Sequence, residues 1–472
     1  MDYSHEQQRI IDCDADRAAG VAFAGTGKTA TAVGFARARP DRRILYLVFN
    51  KSAQQQAVLR MPNHVTSRTI NALAYAEFGA RFRHKLRRYP RLKPIKEALD
   101  PTDKRTYEQI NHLVQTVTRW CHSADPKITA RHFPPLLAKS LATPDAVDRF
   151  LTYARRLWHL MCDRSVTSIP MSHDGYLKIY QLRGRPLAER FDLIIVDEAQ
   201  DLSPVTVDIL LRQPIPILLL GDPHQSIYGF RGCVNAFDEL AIKDRHPLTC
   251  SWRFGPELAG VCNAVLARFK GEENALIGAG PDTRIARLDP RRGPHAKIHR
   301  TFGNTLDTAL TAALNGQRVA WVGGVDSYPL AGIEDLHRLY IGAYSEVRQK
   351  SLLHEFGDYE RLRDHAYETE DRELIRQTRV VESHGPRIGE RIAQLKQGAV
   401  SPDRADVIVS TAHKAKGLQF EQVILDDDFP DLTDPSLGET ERDQETNLAY
   451  VAASRATGRL QVSPGMLDML LG

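Results

Sequence analysis

At 472 residues the chain has room for roughly three domains of about 150 residues each, and with 42% hydrophobic, 26% charged, 31 Gly and 26 Pro residues it can bury sizeable cores and is neither collagen-like nor low-complexity. Six scattered cysteines, at 13, 121, 162, 233, 250 and 262, exclude a disulfide scaffold; the charged start MDYSHEQQRIID and the absence of any apolar run of ~18 residues point to a cytoplasmic protein with no membrane partner. A net charge of +4, from 63 basic and 59 acidic residues, is too mild to identify a nucleic-acid partner.

The first signal along the chain is AFAGTGKT at 22–29, followed by TAVGFARA, which reads as a helix. ILYLVF (44–49), LIIV (193–196), ILLLG (217–221), VAWVGG (319–324), VIVST (407–411) and QVILDDD (422–428) are short apolar runs bounded by turn or charged residues, as buried parallel strands are. Polar helical stretches separate them, the pattern of a doubly wound α/β fold. Two segments break the rhythm: about 81–170, helical, basic and Trp-containing, and about 331–397, helical and dense in charge. The strands before 325 and after 405 therefore suggest two sheets, each interrupted by a helical insertion. Within the first insertion, RFRHKLRRYPRLKPIK (81–96) carries eight Lys/Arg and no carboxylate, which suits either several phosphates or a solvated basic helix face.

The run at 22–29 has the parts of a phosphate cradle. Glycines let backbone N–H groups converge on phosphate oxygens, a lysine reaches the terminal phosphates, and a hydroxyl at a helix N-terminus ligates Mg²⁺. Ala24, Gly25, Thr26, Gly27, Lys28 and Thr29 supply these parts, with Ala22 in place of the first glycine of the strict motif. FDLIIVDEAQD (191–201) then delivers Asp197 and Glu198 to the C-terminal end of an apolar strand, where ligands sit in open α/β sheets. Asp197 suits Mg²⁺, and Glu198 suits orienting and deprotonating a water. The pair of motifs points to hydrolysis of a nucleoside triphosphate, with ATP and Mg²⁺ as the expected ligands. The DDD run at 426–428, His122 beside Cys121, and His173 beside Asp174 are weak metal candidates; the DDD run reads as a solvated or interdomain edge.

The ordered set AFAGTGKT, VDEAQD, GDPHQSIYGFRG (221–232), SWRFG (251–255), STAHKAKGLQF (410–420) and NLAYVAASRA (447–456) resembles superfamily 1 helicases of the UvrD/Rep type. Within that group VFNKSAQQQA (48–57), HDGYLKIYQL (173–182), SWRFG and AYETEDREL (366–374) look most like the F-box DNA helicase branch and its bacterial relatives. The motor begins almost at residue 1, so a ubiquitin-ligase role is not implied. The resemblance implies two RecA-like P-loop NTPase domains, each with a mainly helical insertion. Their bounds are 1–80 with 171–247 for the ATP-binding motor domain, 81–170 for its insertion, 248–330 with 398–472 for the second motor domain, and 331–397 for a small second insertion.

By the same resemblance Gln7, with the adjacent Gln8 as the alternative, reads adenine, Gln225 senses the γ-phosphate, Arg253 and Arg455 are arginine fingers, and Trp252 stacks on the base. Tyr228, Phe230 and Arg231 match a strand-contacting segment of stacking aromatics and a phosphate-binding arginine. Asn50, Lys51, Thr69 and Asn71 match DNA-contacting loops of the first motor domain, and His413 and Lys416 those of the second. Two residues depart from the pattern: Gln419 stands where a ribose-contacting glutamate is usual, and Asn71 where many relatives have histidine. The implied function is an ATP-dependent helicase or translocase moving 3′→5′ on single-stranded DNA, with ATP hydrolysed between the motor domains. Single-stranded and tailed duplex DNA are the expected partners, and a nuclease or recombination factor a candidate protein partner. Two other readings stay open: a translocase that strips proteins from the strand, and an ATP-gated sensor subunit of a defence complex.

Overall fold

The structure, a computed structural model, describes residues 2–87, 92–99, 106–141, 143–229, 232–369 and 371–471. It divides into two compact units: residues 1–22 with 27–248, and residues 23–26 with 249–472.

In the first unit β1 (Arg17–Ala22), β2 (Ile44–Leu47), β3 (Val65–Arg68), β4 (Leu193–Val196), β5 (Ile217–Gly221) and β6 (Asp244–Leu248) form one sheet in the order β3-β2-β4-β5-β1-β6. All its pairings are parallel. Every residue of β2, β4 and β5 is buried, because helices cover both faces. The two-residue alternation sends Leu45, Leu47, Ile194, Val196 and Leu219 to one face, against helices Ile70–Glu77, His173–Arg183 and Pro204–Leu211. Ile44, Tyr46, Leu193, Ile195, Leu218 and Leu220 go to the other, against helices His5–Ile11, Lys28–Arg37 and Lys51–Arg60. Tyr46 thus shares a face with the helix that follows the phosphate-cradle motif.

Between β3 and β4, helices Leu92–Leu99, Tyr107–His122 and Pro144–Cys162 pack around a core of their own, including Ile110, Leu113, Trp120, Leu151 and Leu157. Two lysines close helix ends in this region, where carbonyls lack intrahelical donors and the dipole favours a cation. Lys178 is fully buried and donates to Ser123 O at 2.9 Å and Asp125 O at 2.6 Å, just beyond helix Tyr107–His122. Lys85 donates to Leu160 O at 3.1 Å and Asp163 O at 2.8 Å at the end of helix Pro144–Cys162. Being 2% exposed, Lys85 leaves the basic run expected to be wholly solvated or phosphate-binding. Arg81, Arg83 and Arg87 of that run are exposed, while Arg88 and Arg91 lie outside the described residues.

The second unit holds a short pair, β7 (Cys250–Ser251) with β8 (Ile277–Gly278), and a second parallel sheet. The latter comprises β9 (Arg284–Ile285), β10 (His295–His299), β11 (Val319–Trp321), β12 (Val407–Thr411), β13 (Phe420–Leu425) and β14 (Ala456–Gln461) in the order β11-β12-β10-β13-β14-β9. Helices Phe302–Leu314, Leu330–Tyr340, Tyr359–Glu368, Arg372–His384 and Ile388–Gly398 share one core with Val319, Trp321, Val407 and Val409. The charge-dense segment therefore lies on a face of the sheet. The whole is mixed α/β with two RecA-like parallel sheets.

The acidic run at 426–428 is a solvated edge only at Asp427, which is exposed; its two neighbours are drawn inward. Asp428 is 7% exposed and accepts Arg300 N–H at 2.7 Å, Thr301 N–H at 2.8 Å and the Thr301 hydroxyl at 2.7 Å, fixing the start of helix Phe302–Leu314. Asp426 pairs with Lys297 at 2.9 Å and Asp427 accepts from the Ser463 hydroxyl. His122 pairs with Asp174 at 3.1 Å, and His173 Nδ1 lies 2.8 Å from Tyr176 Oη. No helix among the described residues is long and apolar enough to cross a membrane.

Replacing Lys178 with Met keeps an unbranched stem but leaves Ser123 O and Asp125 O without their ammonium partner. We expect a loss of about 2–3 kcal/mol in urea unfolding. Burial lowers the Lys178 ammonium from 10.5 to about 8, so the unfolded chain holds that proton over a wider range. The cost is full below pH 8 and fades toward 10.5; wild-type stability relative to the Met variant should rise with pH across that window.

Candidate active site

The loop after β1 turns through Gly25 and Gly27, with φ of 80° and 85°, a region that L side chains rarely adopt. Gly27 is the N-cap of helix Lys28–Arg37, so the first N–H groups of that helix are directed to one point. Thr26 is buried and its hydroxyl donates to Phe23 O at 2.9 Å, while Lys28 and Thr29 remain half-buried. Ala22, the position that departs from the strict motif, is the last residue of β1; extended backbone there suits any residue.

Asp197 and Glu198 leave β4 at the same C-terminal edge. Asp197 Oδ2 accepts from Tyr46 Oη at 2.5 Å, and its Oδ1 from Glu198 N–H at 3.0 Å. Burial and the adjacent Glu198 charge push the Asp197 carboxyl above its ordinary range, opposed by the Tyr46 hydrogen bond and the Lys28 charge. The Tyr46 phenol is pushed well up by burial and by Asp197, with the Thr29 hydroxyl as a further hydrogen-bonding neighbour. Glu198 stands at φ 53°, ψ 47°, a left-handed conformation that costs a residue with a Cβ about 1–2 kcal/mol. Two carboxylates and a hydroxyl at a helix start form an oxygen-rich donor set suited to Mg²⁺ held partly through water, with the Lys28 ammonium beside it as a charge for phosphate oxygens.

A hydrogen-bond chain runs on from Glu198. Its Oε2 accepts from Gln200 Nε2 at 2.5 Å; Gln200 Oε1 accepts from Asp222 N–H at 3.0 Å; Asp222 Oδ2 accepts from Gln225 Nε2 at 2.6 Å. Gln200 and Asp222 are fully buried and Gln225 is 5% exposed. Gly221, at the end of β5, makes room for this chain, since a Cβ there would lie 2.4 Å from Gln200 Oε1 and 2.9 Å from Ala199 N. Gln200 and Asp222 stand inside the motifs quoted above, yet sequence reasoning gave them no role. Tyr46 was missed altogether; its one signal was a phenol in the otherwise aliphatic ILYL.

Gln7 is buried, its carbonyl oxygen accepting from Ser4 N–H at 3.0 Å in a capping box that fixes the amide, whereas the neighbouring Gln8 donates to Asp12 at 2.8 Å on the surface. In the second unit, which includes residues 23–26, Ala24 N–H donates to Tyr450 Oη at 2.8 Å and Trp252 N–H to Gly25 O at 3.0 Å. Arg253 packs so closely on Gly25 that a Cβ there would lie 2.6 Å from its own, and Arg253 Nη1 donates to Ser454 O at 3.0 Å. Trp252 is 54% exposed, a face open to stacking. Arg455 is 1% exposed, donating to Val451 O at 2.8 Å, Leu418 O at 3.3 Å and Ser454 Oγ at 2.7 Å. Gln419 is exposed immediately before β13.

The residues expected to contact a strand occupy the ends of β2, β3, β5 and β12. Asn50 and Thr69 are N-caps, accepting from Ala53 N–H at 2.8 Å and Ala72 N–H at 3.1 Å, so each opens a helix whose N-terminus favours an anion. Lys51 is exposed and Asn71 half-buried. Tyr228 stacks on Phe49, ring centroids 5.7 Å apart and planes 9° off parallel, and Phe49 is 41% exposed. Phe49 also escaped sequence reasoning. Phe230 and Arg231 lie outside the described residues. His413 and Lys416 are half-buried around the short helix Ala412–Ala415.

Residues 171–244 match the UvrD/REP helicase N-terminal domain and residues 347–464 the UvrD-like helicase C-terminal domain. F-box DNA helicase 1 of Gallus gallus is 32% identical over 99% of this chain and 49% of its own length. F-box DNA helicase protein 1 of Schizosaccharomyces pombe is 29% identical over 96% of this chain and 56% of its own length. The RecBCD enzyme subunit RecB of Mycolicibacterium smegmatis is 27% identical over 32% of this chain and 16% of its own length. The chain thus spans about half the length of the two F-box DNA helicases it matches.

Gly221→Ala tests the hydrogen-bond chain from outside it. The added methyl must displace the Gln200 amide and release Glu198. It also meets Ala199 N at 2.9 Å, so the variant should lose about 1–3 kcal/mol in urea unfolding; wild-type stability would mean that the chain opens there without strain.

Proposed function

From the premise that the chain belongs to the UvrD/Rep-type superfamily 1 helicases, we propose that it is an ATP-driven motor that moves 3′→5′ on single-stranded DNA and unwinds tailed duplexes. The observation that carries this reading is the hydrogen-bond chain from Glu198 to Gln225, three residues before a Tyr228 stacked on a solvent-facing Phe49. It ties a candidate water-activating carboxylate to an aromatic platform of the kind that holds bases of any sequence.

In this reading the helix start at Lys28 and the Lys28 ammonium hold the terminal phosphates. Thr29 and Asp197 hold Mg²⁺, which when bound neutralises phosphate charge. Glu198 accepts the proton of the attacking water, kept in place by Gln200, and Gln225 registers the γ-phosphate. Arg253 and Arg455 of the second unit stabilise the developing phosphoryl charge, with Trp252 and Gln7 on the base and Gln419 near the ribose. Residues 1–80 with 171–247, and 248–330 with 398–472, are the proposed motor domains, with helical insertions at 81–170 and 331–397. Asn50, Lys51, Thr69, Asn71, Phe49 and Tyr228 grip the strand from the first motor domain, and His413 and Lys416 from the second.

ATP turnover measured with and without single-stranded DNA or RNA, beside unwinding of 3′- and 5′-tailed duplexes, tests the reading. DNA-stimulated turnover with unwinding from the 3′ tail alone is expected; ATP-dependent binding without movement would overturn the motor. Lys28→Ala should abolish turnover, and Glu198→Gln should retain bound ATP while hydrolysis falls about a hundredfold or more.

Paired substitutions Phe49→Ala and Tyr228→Ala should lower strand-stimulated turnover several-fold while basal turnover stays near wild type. Equal loss of both rates would assign the two rings to packing alone.

A further inference from the structure

Tyr46 is the one phenol in β2, and packing alone does not explain its oxygen. The ring lies among Ile44, Leu193, Ile195 and Leu218 on the face covered by helix Lys28–Arg37, and the residue is 1% exposed. Phe would fill that volume without burying a hydroxyl, which costs free energy unless it finds a partner. The partner is Asp197. Because β2 and β4 are neighbours in parallel register, with Tyr46 opposite Ile195, the phenol reaches the first residue beyond the end of β4. It donates to Asp197 Oδ2 at 2.5 Å while Glu198 N–H donates to Oδ1 at 3.0 Å. Both oxygens are thereby fixed, and a carboxylate has about four lone-pair sites, so each keeps one for a further ligand. The Thr29 hydroxyl, the second oxygen expected at the cation, is a further hydrogen-bonding neighbour of the phenol.

We propose that Tyr46 is a positioning residue for the divalent cation of ATP hydrolysis: its hydroxyl holds Asp197 in the orientation that, together with Thr29, accepts Mg²⁺. The inference rests on the proposed ATPase reading. The physical argument is one of preorganisation. Asp197 and Glu198 are adjacent, and without a donor on Oδ2 the Asp197 carboxylate is free to turn away from its neighbour's charge. Groups that hold a metal ligand without touching the metal typically set affinity by about 10–100-fold. Tyr46 also ties the cation site to the strand that ends two residues before Phe49.

The test uses the full chain and the variant Tyr46→Phe. ATP turnover is measured against Mg²⁺ at fixed ATP, beside the melting midpoint and nucleotide-free binding to single-stranded DNA. We expect half-saturating Mg²⁺ to rise about tenfold or more, the maximal rate at saturating Mg²⁺ to stay within about threefold of wild type, and melting and strand binding to be unchanged. Tyr46→His, which keeps a ring and an N–H donor, should recover part of the Mg²⁺ affinity; it also serves as the readout if the Phe variant does not fold. Half-saturating Mg²⁺ within twofold of wild type in a folded variant would overturn the inference, whatever happens to the maximal rate. A wild-type chain without Mg²⁺-dependent turnover would instead overturn the ATPase reading itself.

Discussion

Two adjacent carboxylates at the end of an apolar strand repel one another and are poorly solvated, and the first unit is arranged around that conflict. Asp197 is held by the Tyr46 hydroxyl and the Glu198 backbone; Glu198 is held by Gln200. Lys28 supplies the nearby positive charge. Asp197, Glu198 and Gln200 follow β4, Tyr46 stands on β2 and Lys28 follows β1, so the parallel sheet itself is what brings the three segments together. A sheet buried on both faces can place β2, β4 and β5 side by side with their C-terminal ends at one edge. The candidate phosphate cradle and the stacked aromatics share that edge for the same reason.

Sequence reasoning succeeded where burial alone determines residue type. LIIV, ILLLG and VIVST are strands over the residues expected, because strands covered on both faces have no polar side to confuse the pattern. It failed where packing demanded something else. β1, RAAGVA, lies inside the sheet yet is built of small residues, since a Cβ on Gly20 would lie 2.6 Å from Leu220 and 2.9 Å from Ile10. β6, DRHPL, is an edge strand with exposed polar positions, and β14, ATGRLQ, carries few large apolar groups. Neither contrasts with a loop in composition.

The candidate site was legible to the extent that its residues belong to contiguous motifs. Lys28, Thr29, Asp197, Glu198 and Gln225 could be named because each sits in a short run of fixed spacing. Tyr46 could not, because its meaning lies in the register between two strands, which brings it to a carboxylate 151 residues away in the chain. Gln200 was visible but mute: only the close approach of Gly221 shows that both ends of its amide are engaged. Lys85 shows the opposite error. A basic run looks uniform in sequence, yet one of its members turns inward to close a helix.

The backbone at Glu198 has a consequence for how the chain can vary. Held at φ 53°, it occupies a conformation in which a residue without a side chain rests more easily than glutamate. Glycine at that position would relax the local geometry but would strip the fully buried Gln200 amide of its carboxylate acceptor. The left-handed turn and the carboxylate it carries are therefore tied together: relieving the strain of one leaves the partner of the other unsatisfied.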